Sequence, residues 1–157
     1  MEDRSFEDFY LKEYRQVLAL AFVLTGDRVA AEDVTHDGFI AAWEAWSDLD
    51  NPAGWIRTVV ANKAKSGWRR RSAEGRALAR FDAEVQVGNQ LPEETEVFWD
   101  EVRRLPRRQA QAIALFYLED RPVAEIAELL GCEESTARVH LMRGRRTLAK
   151  RLKVADE

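Results

Sequence analysis

A single cysteine, Cys132, stands among 157 residues, so no internal disulfide can form and a reducing, cytoplasmic setting is expected. No apolar run approaches the length of a membrane-crossing helix, which excludes membrane insertion through such a helix. The acidic, amphipathic start MEDRSFEDFY has none of the layout of a signal peptide. With four prolines and eight glycines, breaks in regular structure are few, and alternating strand-like runs are scarce. What remains is a mostly helical chain of one ordinary domain or two very small ones.

Chemistry-bearing groups are equally sparse. The only histidines are His36 and His140. The His-Asp pair in "THDG" (Thr35–Gly38) is the core of a metal-dependent phosphohydrolase motif, but those enzymes need a further upstream histidine that this chain lacks. No glycine-rich phosphate loop and no nucleophile–base pair occur. The expectation is no enzyme, no metal and no cofactor. Cys132, set in a turn, reads as a small packed residue rather than a reactive thiol.

Charge is the positive signal. The formal net charge of −4 conceals four blocks: −8 over residues 1–50, +7 over 51–80, −7 over 81–101 and +4 over 102–157. Two basic faces alternating with two acidic ones imply polyanion contact on the former. The densest basic stretch is "KAKSGWRRR" (Lys63–Arg71), five cations with a tryptophan among them.

Helical periodicity places these blocks. Apolar residues from Phe6 to Leu24 predict a long amphipathic helix, stopped at Gly26, with Asp27 capping the next. A second helix, from Val29 to about Trp46, is expected to bury a stripe including Val34, Ile40 and Trp43. "SDLDNPAG" (Ser47–Gly54) is turn chemistry. A third helix spans about Pro52 to Arg71. Period is lost over residues 81–94, an acidic linker, where Asp82, Glu84 and Glu93–Glu96 could pair with the basic helices in cis. Helices then resume near Glu93 and at Gln109–Leu118, Val123–Leu130 and Glu134–Leu152. The fold class expected is all-α, two small helical domains (1–80 and 95–157) joined by that linker.

The most specific pattern is "RPVAEIAELLGCEESTARVHLMRGRRTLAKRL" (Arg121–Leu152). Ala127 allows two helices to cross closely, Gly131 suits the turn four residues on, and Ser135 or Glu134 can cap the second helix. Ala137, Leu141, Leu148 and Leu152 face inward, leaving Arg138, Arg143, Arg145 and Arg146 on the other side. This is a helix-turn-helix, whose second helix enters the major groove.

Preceded by "LPRRQAQAIALFYLED", that segment resembles region four of bacterial sigma factors. "LTGDRVAAEDVTHDGFIAAWEAW" (Leu24–Trp46) and "NPAGWIRTVVANKAKSGWRRR" (Asn51–Arg71) resemble region two. Two such regions with a short linker are similar to the extracytoplasmic-function (ECF, group 4) type, and Ser66-Gly67-Trp68 resembles an actinobacterial subgroup of SigE type. The resemblance implies that Asp33, His36 and Asp37 bind the clamp helices of the largest subunit of core RNA polymerase, although His36 stands where the family usually has glutamine. It implies that Trp55, Asn62, Lys63, Lys65, Trp68, Arg69, Arg70 and Arg71 engage the −10 element of promoter DNA. Ser47, Asp48, Leu49, Asp50 and Asn51 would form the loop that captures a flipped base. Ser135, Thr136, Arg138, Val139, His140, Met142 and Arg143 would meet the −35 element, with His140 where relatives usually carry arginine. An anti-sigma factor is a further implied partner.

The function expected is that of a sigma factor, recruiting core polymerase and directing promoter recognition and melting. A stand-alone helix-turn-helix regulator with an N-terminal dimerisation or sensing domain is the alternative. An anti-regulatory protein that keeps the fold without initiating transcription is a third reading.

Overall fold

The computed structural model describes residues 5–74 and 93–156, which form seven α-helices and one short 3-10 turn, with no strand among the described residues. The helices are α1 (Phe6–Thr25), α2 (Arg28–Glu44), α3 (Pro52–Glu74), α4 (Glu93–Arg103), α5 (Arg107–Tyr117), α6 (Val123–Leu130) and α7 (Glu134–Asp156), with the 3-10 turn at Trp46–Asp48. Of the acidic linker expected at 81–94, Asp82 and Glu84 lie outside the described residues, as do the side chains of Glu93 and Glu94.

Local chemistry sets the first boundaries. The Ser5 hydroxyl accepts the Asp8 N–H at 3.2 Å, and Glu7 and Asp8 in the first turn complement the helix dipole. Gly26, at φ 77°, closes α1 with its N–H on the Phe22 carbonyl. One residue later the Asp27 carboxylate accepts the Ala30 N–H and opens α2. Both expectations hold at this corner.

Helices α1, α2 and α3 pack around Val17, Ala21, Ala31, Phe39, Ala42, Ile56 and Val60, with Leu49 pinned among them. Phe6, Phe9, Phe39 and Trp46 stack edge to face or tilted at the open end of this group. Gly38 brings α2 onto α3: a Cβ there would lie 2.8 Å from Val60 Cγ2. The stripe α2 buries runs through Ala31, Thr35, Gly38, Phe39 and Ala42. Ile40 and Trp43, expected inside, are 45% and 63% exposed, because they sit on the opposite side of that helix.

The C-terminal half centres on Val102, Leu105, Ile113, Leu115, Ile126, Leu141 and Leu148. Helices α6 and α7 meet at Gly131, whose φ of 71° makes the turn while Cys132 donates its N–H to the Ala127 carbonyl. The second helix begins at Glu134, so Glu134 and Ser135 lie in its first turn and Glu133 takes the capping position. Leu20 and Leu24 of α1 and Ala61 and Ala64 of α3 belong to this same cluster. The two halves therefore share a continuous apolar core.

Candidate nucleic-acid interface

Three surfaces carry the residues singled out in the sequence. On α2, Asp33, His36 and Asp37 are all exposed and share one face by their three- and four-residue spacing. Ile40 and Trp43 extend that face, giving an apolar strip with acidic neighbours. The sequence reading missed these two as surface groups. Apolar residues occur on two sides of α2, and periodicity alone does not say which side is inward.

The second surface runs from the loop before α3 along that helix. Ser47, Asp48, Asp50 and Asn51 are exposed, whereas Leu49 is buried and anchors the loop to the core. Asn51 does two jobs: its Oδ1 accepts the Gly54 N–H at 3.2 Å, and its Nδ2 donates to the Glu128 carbonyl of α6 at 3.2 Å. Between this loop and the end of α6 lies an open cleft of about 450 Å³, lined by Asp48, Asp50, Trp55, Thr58, Leu129 and Gly131 among others. Trp55 is half-buried against the N-terminal core and also faces this cleft.

Further along α3 the picked residues separate. Lys63 is exposed, and Asn62 is half-buried with its Oδ1 enclosed. Lys65 turns toward the other half of the molecule, its ammonium donating to the carbonyls of Arg103 and Leu105, the latter at 2.7 Å. The same ammonium sits 5.1 Å from the ring centroid of Trp68, which is half-buried. The side chains of Arg69, Arg70 and Arg71 lie outside the described residues, although α3 continues through them.

The third surface is the outer face of α7. Ser135, Thr136, Arg138, Val139, Met142 and Arg143 are exposed together. Arg138 is held by Glu134, one turn earlier, at 2.9 Å. His140 is half-buried, and burial together with the nearby Arg108 and Arg143 cations lowers its pKa below the ordinary value of 6.5. It is thus a neutral imidazole at neutral pH. Arg145 is otherwise engaged: it lies 4.5 Å from the Phe116 ring centroid, and its Nε donates to the Tyr117 hydroxyl at 3.0 Å. It shapes the domain as well as adding charge.

One buried group went unnoticed in the sequence. Arg57, 3% exposed, donates from Nη2 to Glu13 at 2.8 Å and Gln16 at 2.9 Å, from Nη1 to the Ala53 carbonyl, and from Nε to both oxygens of Glu119 at 3.2 Å. Arg121 donates from Nε to Glu119 and from Nη2 to Gln16. A cation inside the apolar run "WIRTVV" was the available signal, since a buried guanidinium must find anionic partners.

Comparison with known proteins adds two family matches. Residues 9–74 match the model described as "Sigma-70 region 2", and residues 95–148 the model described as "Sigma-70, region 4". A curated relative, "Probable RNA polymerase sigma factor RfaY" of Xanthomonas campestris pv. campestris, is 29% identical over 150 residues, covering 87% of this chain. The matched chain spans only 37% of that relative's length. "RNA polymerase sigma-H factor" of Pseudomonas aeruginosa is 24% identical, with 96% of this chain and 88% of the relative covered. Among solved structures, the sigma factor RpoE in complex with the anti-sigma factor NepR from Bartonella quintana superposes with a TM-score of 0.63 at 21% identity, covering 95% of this chain and 97% of that one. CnrH in complex with the cytosolic domain of CnrY superposes with a TM-score of 0.66 at 20% identity, covering 98% and 90%. At these identities the two superpositions speak to the fold.

Proposed function

We propose that this chain, which belongs to the sigma-70 family through its region 2 and region 4, binds core RNA polymerase and directs promoter recognition and strand opening. The observation that carries this reading is the coexistence of two unlike surfaces in one small chain. One is a helix-turn-helix with an exposed reading face; the other is a basic and aromatic helix beside a turn-rich loop. A stand-alone regulator would need the first and has no use for the second.

In this reading the domains run over residues 1–80 and 95–157, and each surface takes one task. Asp33, His36 and Asp37, with Ile40 and Trp43 beside them, form the face offered to the clamp helices of the largest polymerase subunit. An acidic rim around an aromatic anchor suits a partner helix bearing cations. The loop Ser47–Asn51 and the α3 residues Trp55, Asn62, Lys63, Lys65, Trp68 and Arg69–Arg71 serve the −10 element, where cations follow phosphates and rings stack on unpaired bases. Ser135, Thr136, Arg138, Val139, His140, Met142 and Arg143 serve the −35 element. Arg138 and Arg143 are the candidates for bidentate guanine contact, and Val139 and Met142 can touch thymine methyl groups. The work is recognition and deformation of DNA, placed in the cytoplasm and carried out without chemistry of the chain's own. An anti-sigma factor is proposed as a further partner, and the assignment to an ECF type of actinobacterial SigE character rests on Ser66-Gly67-Trp68.

Run-off transcription with bacterial core polymerase on genomic fragments tests the reading. New start sites sharing a pair of upstream elements are expected when the chain is added. Co-elution with core but no initiation would instead favour an anti-regulatory role. Tight duplex binding with neither would leave the stand-alone regulator.

A further inference from the structure

Gln111 of α5 is 3% exposed, and its Nε2 has no hydrogen-bond partner among the described residues. A buried amide N–H without an acceptor is costly, so the group calls for one. Its orientation is set from the other end of the amide. Arg108 Nη1, which can only donate, lies 3.3 Å from Gln111 Oε1 and 3.1 Å from the Leu130 carbonyl. Exchanging the amide oxygen and nitrogen would set donor against donor. Nε2 is therefore the amide group left to the small recess that Gln111 lines.

That recess lies between α1, α3 and the first turn of α5. Leu24 and Ala61 form much of its apolar wall, and Lys65, Arg103, Arg107 and Gln111 its polar one. About 10 Å³ is open to the centre of a water-sized sphere, room for a single small occupant. Every polar residue on the wall carries donors, three of them are cationic, and no carboxylate lines it. Lys65 is steered by the Arg103 and Leu105 carbonyls, and Arg103 by the Val23 carbonyl with Asp100 3.6 Å away. Arg107, exposed at the rim, has no ion pair among the described residues. The start of α5 adds the positive end of its dipole.

We propose that this recess binds a small monovalent anion of the size of chloride, held by the Gln111 amide within the field of Lys65, Arg103 and Arg107. A water molecule can accept from Gln111, but it must then turn its own protons toward cations. An anion accepts from the amide and is attracted by each charge on the wall, more strongly here than at a fully hydrated surface. Size narrows the class further. The four oxygens of sulfate or phosphate exceed a space for one water-sized sphere, whereas a halide fits it. Occupancy satisfies the orphaned amide and offsets the mutual repulsion of three cations. The folded chain thus gains stability from chloride itself as well as from ionic strength. This site goes beyond the sigma-factor reading and does not depend on it.

Chlorine NMR on the full chain is the direct test. Adding wild-type protein should broaden the line of free chloride. Bromide should reverse the broadening, and sulfate at matched ionic strength should not. Gln111→Leu and Arg107→Gln should each remove most of the effect. Arg28→Gln, which deletes an equal charge from an exposed ion pair on α2, should leave it unchanged. Helical circular dichroism marks each variant as folded. Because the Arg107 side chain is exposed, Arg107→Gln keeps the test valid should Gln111→Leu fail to fold. Thermal unfolding gives a second reading. Chloride at ten times its Kd should raise the folded-to-unfolded ratio about elevenfold over gluconate at the same ionic strength, and the two site variants should lose that difference.

A chloride line unaffected by the wild-type chain would leave the recess to water and overturn the proposal. Equal broadening by the wild type and the folded site variants would overturn it as well, by placing the chloride elsewhere. Sulfate that displaces chloride as readily as bromide does would overturn the assignment to a monatomic anion. Run-off transcription reports separately on the sigma-factor reading, since initiation with core polymerase does not require an anion in this recess.

Discussion

The Arg138 guanidinium lies 2.9 Å from the Glu134 carboxylate, one turn nearer the start of α7. Both side chains are exposed, so the pair adds little to stability; its consequence is for DNA. If α7 reads the duplex as proposed, Glu134 would repel phosphates and restrain Arg138 from settling on them without regard to sequence. Arg138→Ala should cost about 1–3 kcal/mol on the cognate −35 duplex if Arg138 reads a guanine. Glu134→Gln should instead raise affinity for unrelated duplexes and narrow the ratio between cognate and non-cognate binding. Competition assays across a salt series would separate the two, and an unchanged ratio in Glu134→Gln would rule out this restraint.

Trp68 sits half-buried beneath the Lys65 ammonium, within the stretch where stacking on unpaired bases is assigned. Trp68→Ala should reduce strand opening more than initial promoter binding, since each base–ring stack is worth about 1–3 kcal/mol. A fluorescent adenine analogue in the −10 element, read against filter binding on the same template, would show the split. Equal losses in both would assign Trp68 to packing alone.

Much of this molecule was legible because its signals are local. Gly26 and Gly131 both adopt the positive φ their positions suggested, and Asp27 caps α2 as its chemistry requires. The inward set of α7, including Ala137, Leu141 and Leu148, followed from spacing. The failures are pairings across the chain. Nothing near Lys65 says that it will meet carbonyls nearly forty positions later, nor does Arg57 announce Glu119. Ile40 and Trp43 were misplaced for a related reason: a helix with apolar residues on two sides has one side for its own core and one for something else.

Gly144 offers a test of the second half's packing. A Cβ at this position of α7 would lie 2.9 Å from Ile113 Cγ1 of α5, too close for Ile113 to avoid by moving its tip alone. Gly144→Ala gains helix propensity of about 1 kcal/mol and incurs overpacking of about 1–3 kcal/mol. The expected net result is a loss of up to about 2 kcal/mol, measured by chemical denaturation. A stabilised variant would mean that α5 and α7 can separate at no cost.

Arg57 invites the opposite kind of experiment. Arg57→Met keeps much of the side chain's bulk but leaves the buried carboxylate of Glu13 without its cation and Glu119 with Arg121 alone. Breaking a buried pair from one side costs about 3–5 kcal/mol, so the midpoint of urea unfolding should fall sharply. Adding Glu119→Gln to Arg57→Met should recover part of the loss, since the stranded charge is then removed. Additive losses in the double variant would show that the two groups are not coupled in solution.

The lowered pKa of His140 makes a pH-dependent prediction with a definite sign. Its folded value lies below 6.5 because of burial, with Arg108 and Arg143 adding to the effect, so the folded chain binds this proton less readily than the unfolded chain. Its contribution to stability is therefore complete above 6.5 and declines as pH falls from there toward the lower, folded pKa. DNA binding should move the other way. Acidification gives α7 an added cation, and nearby phosphates favour that charge, so duplex affinity should rise as pH drops below 6.5. His140→Ala should remove this rise, and His140→Arg should bind more tightly at neutral pH with a steeper salt dependence. Titrations of the three proteins at matched ionic strength would decide it, with parallel pH profiles for wild type and His140→Ala excluding His140 as the source.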